Sequence, residues 1–90
     1  MTVLLVTYDL NAKGQKHKEV LAKIKTFDGI QLSESSYAIS TNLSAEQVFE
    51  KFKNLIDAND CMFVIPMVQS YQGWALEEKH KWLNEHLTYA

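Results

Sequence analysis

Asp9 is the residue of this chain best placed to do chemistry. It stands where the apolar run TVLLVTY (2–8) gives way to the polar stretch DLNAKGQ (9–15). A carboxylate held at the end of a strand has two uses. It can ligate a hard cation such as Mg2+ or Mn2+, which prefers oxygen ligands and would activate water and neutralise charge in phosphodiester hydrolysis. One Asp per chain is thin ligation, so that use needs Asp9 of a second copy facing it across a dimer axis. Without a metal, two facing carboxylates repel, and one tends to hold a proton. The other use is structural: Asp9 accepts backbone N–H groups of the loop from Asn11 to Gly14, as Asp side chains commonly do.

The second feature is charge. The chain carries a net −2, yet Lys13, Lys16, Lys18, Lys23 and Lys25 oppose only Glu19, which makes residues 13–25 net +4 and leaves −6 on the rest. Lys13, Lys16, Lys18 and Lys23 are the candidate phosphate contacts, a stripe beside the Asp9 loop. The alternative is the solvated face of an amphipathic helix. All nine basic residues are lysines. The absence of arginine counts against base reading, which favours the planar guanidinium. A pI near 5.8 is low for a dedicated nucleic-acid binder.

Other reactive residue types are scattered. His80 and His86 are six apart, roughly 600° round a helix, and so lie on different faces. His17 follows the Asp9 loop closely enough to carry a proton, although a surface histidine is the commoner case. Ser35 and Ser36 read as turn residues. Cys61 reads as a filled core position in a strand. A single cysteine makes no internal disulfide and fits a reducing cytoplasm. Gly14, Gly29 and Gly73 are isolated, so no glycine-rich loop cradles a phosphate, which argues against a nucleotide cofactor. Tyr71, Trp74, Trp82 and Tyr89 all fall in the tail, where packing is a commoner use than stacking on bases.

The elements that must position Asp9 follow from hydropathy patterning. The run 2–8 is continuously apolar and β-branched, the pattern of a strand covered on both faces. KHKEVLAKIKTF (16–27) is helical, with Val20, Leu21, Ile24 and Phe27 on one face, and Asp28-Gly29 ends it. IQLSES (30–35) and SYAIST (36–41) alternate as two strands of a hairpin. Ser44-Ala-Glu-Gln47 is a capping box that opens a helix carrying Val48, Phe52 and Leu55 and ending near Ile56. DAND (57–60) is a turn. CMFVIPM (61–67) is a second apolar strand, and Pro66 places its end at or near a sheet edge. ALEEKHKWLNEHL (75–87) reads as a third helix with Trp82, Leu83 and Leu87 on one stripe.

This βαββαβ order predicts an α+β, ferredoxin-like domain over 1–90: a four-stranded antiparallel sheet with two helices on one face, plus a C-terminal helix in the extension 68–90. The strands at 2–8 and 61–67 are expected as the central pair. Ninety residues make one domain, and 47% hydrophobic content is enough for a core. Nothing reads as a signal peptide or a membrane span. The apolar character of both expected central strands leaves a sheet face to cover. The tail helix supplies part of that cover, and a second copy is expected to supply the rest, making a homodimer.

The strand ending in VTYDL, followed by a polar loop, a helix and then βαβ, resembles the small CRISPR-associated Cas-two proteins. The runs YDLNAKGQKHKEVLAKIK, SESSYAIST and LSAEQVFEKFKNLIDANDCMFVI, with the terminal W segment, are most similar to the Cas-two-like SinR branch of bacterial and phage-borne proteins. The resemblance covers most of the chain. It implies a ferredoxin-like fold and a dimer. It also implies one of two roles: a non-catalytic scaffold for an integrase partner, here read as an interaction protein that binds a protein or weakly a nucleic acid, or a metal-dependent nuclease using the carboxylate at the end of the first strand, here Asp9. The related virulence-associated D toxins, which cleave RNA, share the fold. Two departures stand out: the arginines that line nucleic-acid surfaces in Cas-two proteins are absent, and the tail is helical.

Overall fold

The computed structural model describes residues 1–11 and 14–89; Ala12, Lys13 and Ala90 lie outside the described residues. Four strands and three α-helices follow one another: β1 (Thr2–Asp9), α1 (Gln15–Ile24), β2 (Asp28–Ser33), β3 (Ser36–Thr41), α2 (Ala45–Phe52), β4 (Cys61–Met67) and α3 (Glu77–His86). The strands form one antiparallel sheet in the order β2-β3-β1-β4. The fold is α+β. Among the described residues, no helix is long and apolar enough to cross a membrane.

β1 is the strand on which the sheet is built. Thr2–Thr7 pair with Thr41–Ser36 of β3, and Val3–Asp9 pair with Met67–Cys61 of β4. The inner strands are therefore β1 and β3, and β4 is an edge. This corrects the expected central pairing of the two most apolar strands. Those strands are neighbours, but no residue of β4 is buried, whereas Val3, Leu4, Val6 and Tyr8 of β1 are. Continuous apolarity marks a strand that can be covered on both faces, not one that the chain itself covers. Pro66 is consistent with the outcome, because a residue without an N–H is tolerated at an edge. The expected core position of Cys61 is corrected for the same reason: the cysteine is exposed on the edge strand.

The main core lies between the sheet and the first two helices. Leu4, Val6 and Tyr8 alternate along β1 toward it, as the period of two in a strand requires. They meet Tyr37 and Ile39 of β3, Val20 and Ile24 of α1, and Val48 and Phe52 of α2. The capping box forms as the sequence predicts: Gln47 N–H donates to Ser44 Oγ at 3.1 Å, and Ser44 N–H donates to Gln47 Oε1 at 2.9 Å. α2 stops at Phe52 and tightens into a 3-10 turn over Lys53–Leu55, sooner than the expected end near Ile56. α1 is likewise shorter than 16–27. The amides of Lys25, Thr26 and Phe27 donate to Leu21, Lys23 and Ile24 carbonyls in a closing turn, and Asp28-Gly29 then opens β2. Glycine is required at 29: a Cβ there would lie 2.3 Å from the Ala38 carbonyl oxygen.

The opposite face is covered in part by the tail. Leu83 of α3 and the following Leu87 pack on Val3 and Ala38, with Ile30, Leu32, Met67, Tyr71 and Trp82 at the margins. Lys79 Nζ donates to the Leu32 carbonyl at 3.1 Å, and Gln69 N–H donates to the Thr88 carbonyl at 2.8 Å, which fastens both ends of the tail. His80 Nδ1 and Tyr71 Oη share a hydrogen bond at 2.8 Å, and His86 stacks on Trp82 with ring centroids 3.9 Å apart. Tyr71 and Trp82 are thus packed, whereas Trp74 is wholly exposed and Tyr89 is 81% exposed. Truncating Phe52 to Ala should cost about 4 kcal/mol and Leu83 to Ala about 2 kcal/mol, since the second site lies in the thinner layer. Urea midpoints at constant m-value will show whether that order holds.

Candidate functional site around Asp9

Asp9 is the last residue of β1, opposite Cys61 across the β4 ladder, and it is exposed. Odd-numbered residues of β1 face α3, so Asp9 shares that side of the sheet with Val3, Leu5 and Thr7. Their β4 partners are Met67, Ile65 and Phe63. α3 covers the Val3 and Met67 end. The remainder is a strip that runs from half-buried Leu5 with Ile65 and Phe63, which are 45% and 57% exposed, to a polar end. That end holds Thr7, Ser36, Cys61 and Asp9, and Thr7 Oγ1 and Ser36 Oγ are hydrogen-bonded at 2.9 Å.

The loop after Asp9 is held from elsewhere. Asn11 N–H donates to Asp60 Oδ1 at 2.7 Å, so this part of the capping expected of Asp9 falls to Asp60. Lys16 Nζ bonds Asp60 Oδ2 at 2.8 Å and Asp57 Oδ2 at 2.6 Å. The Asp57 amide also donates to Asp60 Oδ2, at 3.0 Å, and the Asn59 amide to Asp57 Oδ1, at 2.9 Å. The Asp60 side chain is completely enclosed. Its carboxyl is held at about 2 by Lys16 first, then by the Asp57 and Asn11 amides. Asp57 is also lowered, chiefly by Lys16, and the Lys16 ammonium is raised by its bonds to Asp57 and Asp60. The turn expected at 57–60 is thus a carboxylate clasp that ties the entry of β4 to the start of α1. Nothing local in the sequence announces it, since the partners are 41 and 44 residues apart.

This clasp reorders the lysine candidates. Lys16 is committed to Asp57 and Asp60. Lys18 and Lys23 are exposed on α1, and Lys13 lies outside the described residues. At roughly 100° per residue, Lys18 stands about 160° from Lys16 and about 140° from Lys23 round the helix, so these three do not line one stripe. His17 is half-buried, contrary to the surface position expected. Its ring centroid is 6.0 Å from that of Tyr8, and His17 Nδ1 and Tyr8 Oη are both enclosed without a hydrogen-bond partner among the described residues. Burial, then Tyr37 and Glu34, raise the Tyr8 phenol above its ordinary value, so it stays neutral at physiological pH.

Among the described residues, no group of three or more His, Cys, Asp or Glu is gathered where it could hold a metal ion. Asp60 is engaged by Lys16, and the thiol of Cys61 is a poor partner for a hard cation. Among the described residues, Asp9 thus stands as a single carboxylate without a second acidic ligand gathered beside it.

The clasp makes acid stability a direct readout. The Asp60 carboxyl goes from its ordinary 3.8 to about 2 on folding. A lowered carboxyl stabilises fully above its unfolded value, and that contribution disappears as pH falls through the folded value. Lys16→Met should therefore destabilise the protein at about pH 6, and the gap from wild type should narrow steadily toward about pH 2. Urea titrations across that range test it; a gap of constant size would remove the clasp from the explanation.

Comparison with known proteins returns no matching family model, no matching curated protein and no matching solved structure.

Proposed function

We propose that the chain is a ferredoxin-like, Cas-two-like protein that acts in the cytoplasm as a homodimeric interaction scaffold, joining a protein partner or weakly held nucleic acid. The βαββαβ order with α1 and α2 on one sheet face supports the fold assignment. The observation that carries the functional reading is the half-covered face. Leu5, Phe63 and Ile65 form an apolar strip that α3 leaves open, beside an edge strand with no charged residue in Cys61–Met67. Edge strands are ordinarily protected by charge, bulges or cover. A second copy supplies that cover in a self-complementary way, because a two-fold contact places the same strip on both partners.

A second reading rests on where Asp9 stands. It lies at the polar end of the same face, so a two-fold contact over the strip can bring two Asp9 carboxylates to one side of the interface. Two carboxylates meet the need for oxygen ligands that one chain leaves unmet, and the pair would serve a divalent-metal endonuclease acting on RNA or DNA. The lack of arginine and the commitment of Lys16 to the clasp favour the scaffold over the nuclease.

Light scattering on a sizing column at tens of micromolar should give about twice the 10.4 kDa chain mass. Phe63→Glu should return it to the monomer without loss of fold, since Phe63 is already exposed. A monomer at that concentration ends the dimer reading. Labelled single-stranded RNA and duplex DNA with Mg2+ or Mn2+ decide between the two roles. No cleavage by wild type supports the scaffold, cleavage lost in Asp9→Asn supports the nuclease, and cleavage that survives in Asp9→Asn excludes Asp9 as its centre.

A further inference from the structure

On the other side of the sheet from Asp9, a recess of about 310 Å³ opens between the closing turn of α1 and strands β2 and β3. That volume is at the lower end of the range for small-molecule sites, roughly 300–1,000 Å³. Ile24 and Ile39, both almost wholly buried, underlie it from the main core. Two aromatic residues, Phe27 and Tyr37, line it as well. Phe27 is held in place by its amide, which donates to the Ile24 carbonyl at 3.0 Å. Gly29, the glycine that the close approach of the Ala38 carbonyl demands, also lines it.

The mouth is polar and carries one sign of charge. Lys25 and Gln31 line it and are exposed, and no acidic residue lines it. Neither side chain makes a hydrogen bond or ion pair with another described residue. The Tyr37 hydroxyl is likewise without a partner among them, and burial raises the phenol, so it is a neutral donor at physiological pH. An ammonium, an amide and a phenol are thus all available as donors around a space walled by Phe27 and Tyr37.

We propose that this recess binds a small aromatic carboxylate of one or two rings, with the ring against Phe27 and Tyr37 and the carboxylate met by Lys25 and Gln31. Aromatic rings favour offset or edge-on packing against one another, which suits a flat guest. A carboxylate answers the unpaired ammonium, and hydrogen bonds to charged groups are the stronger kind. The site is independent of the dimer contact, which uses the opposite face.

Amide NMR titrations test it, using benzoate and indole-3-acetate beside their neutral isosteres benzamide and indole-3-acetamide, with acetate as the ring-free control. Saturable shifts centred on Gly29, Gln31 and Ile39 are expected for the two acids, with acetate inert. The amides should bind about tenfold more weakly, the equivalent of one charge-assisted contact. Lys25→Gln should weaken the acids about tenfold and leave the amides unchanged, and Gln31→Ala should weaken both acids. Both positions are exposed, and the unshifted remainder of the spectrum reports the fold. The proposal is overturned by the absence of saturable shifts at about 10 mM ligand, by shifts centred elsewhere, or by acids and amides that bind equally and ignore Lys25→Gln.

Discussion

Everything in this molecule is referred to β1. It is hydrogen-bonded along both edges, to β3 on one side and β4 on the other, so its backbone groups find partners without water. Its side chains divide by parity. Even positions build the core under α1 and α2, and odd positions face the tail helix and the open strip. A one-residue slip would exchange these two sets, moving Leu4, Val6 and Tyr8 out of the core. The ladders on both sides and the buried residues on both faces specify the same register, and the position of Asp9 at the strand end follows from it.

The clasp of Lys16 with Asp57 and Asp60 extends that constraint beyond the strand. β1 ends at Asp9, and the chain must then cross to α1 through a loop with few apolar anchors. Asp60 holds Asn11 from one side and Lys16 from the other, so the polar end of the sheet is framed by two loops tied together. An enclosed carboxylate survives there because a cation and two backbone amides satisfy it; without them its burial would be costly. The consequence for function is a trade. The lysine nearest Asp9 among the described residues that could have met a phosphate is spent on order.

Local patterns in the sequence carry much of this arrangement. The capping box at Ser44 and Gln47, the apolar face of α1 and the strand character of 61–67 all depend on neighbours a few residues apart, and all are found. The errors share one cause. TVLLVTY and CMFVIPM are alike in composition, yet one is an inner strand and the other an edge, because exposure depends on which elements arrive from far along the chain. Pro66 was the one local sign of the difference. The same cause exposes Cys61, half-buries His17 and hides the clasp, whose partners meet only after two crossovers. Asp9 is found at the strand end as expected, but the Asn11 amide is held by Asp60, a carboxylate that no local pattern links to the loop.

The two apolar clusters have no buried residue in common; only the sheet lies between them. The helix-side cluster contains Phe52 and Val6 at zero exposure, whereas the tail-side cluster relies on four buried residues and a rim of half-buried ones. Local stability follows such differences in packing, so the layer under α3 is the thinner of the two that hold the sheet. Removing α3 would uncover Val3 and Ala38 beside Leu5 and lengthen the apolar strip across the sheet. α3 is therefore the border that sets how much of this apolar face stays open.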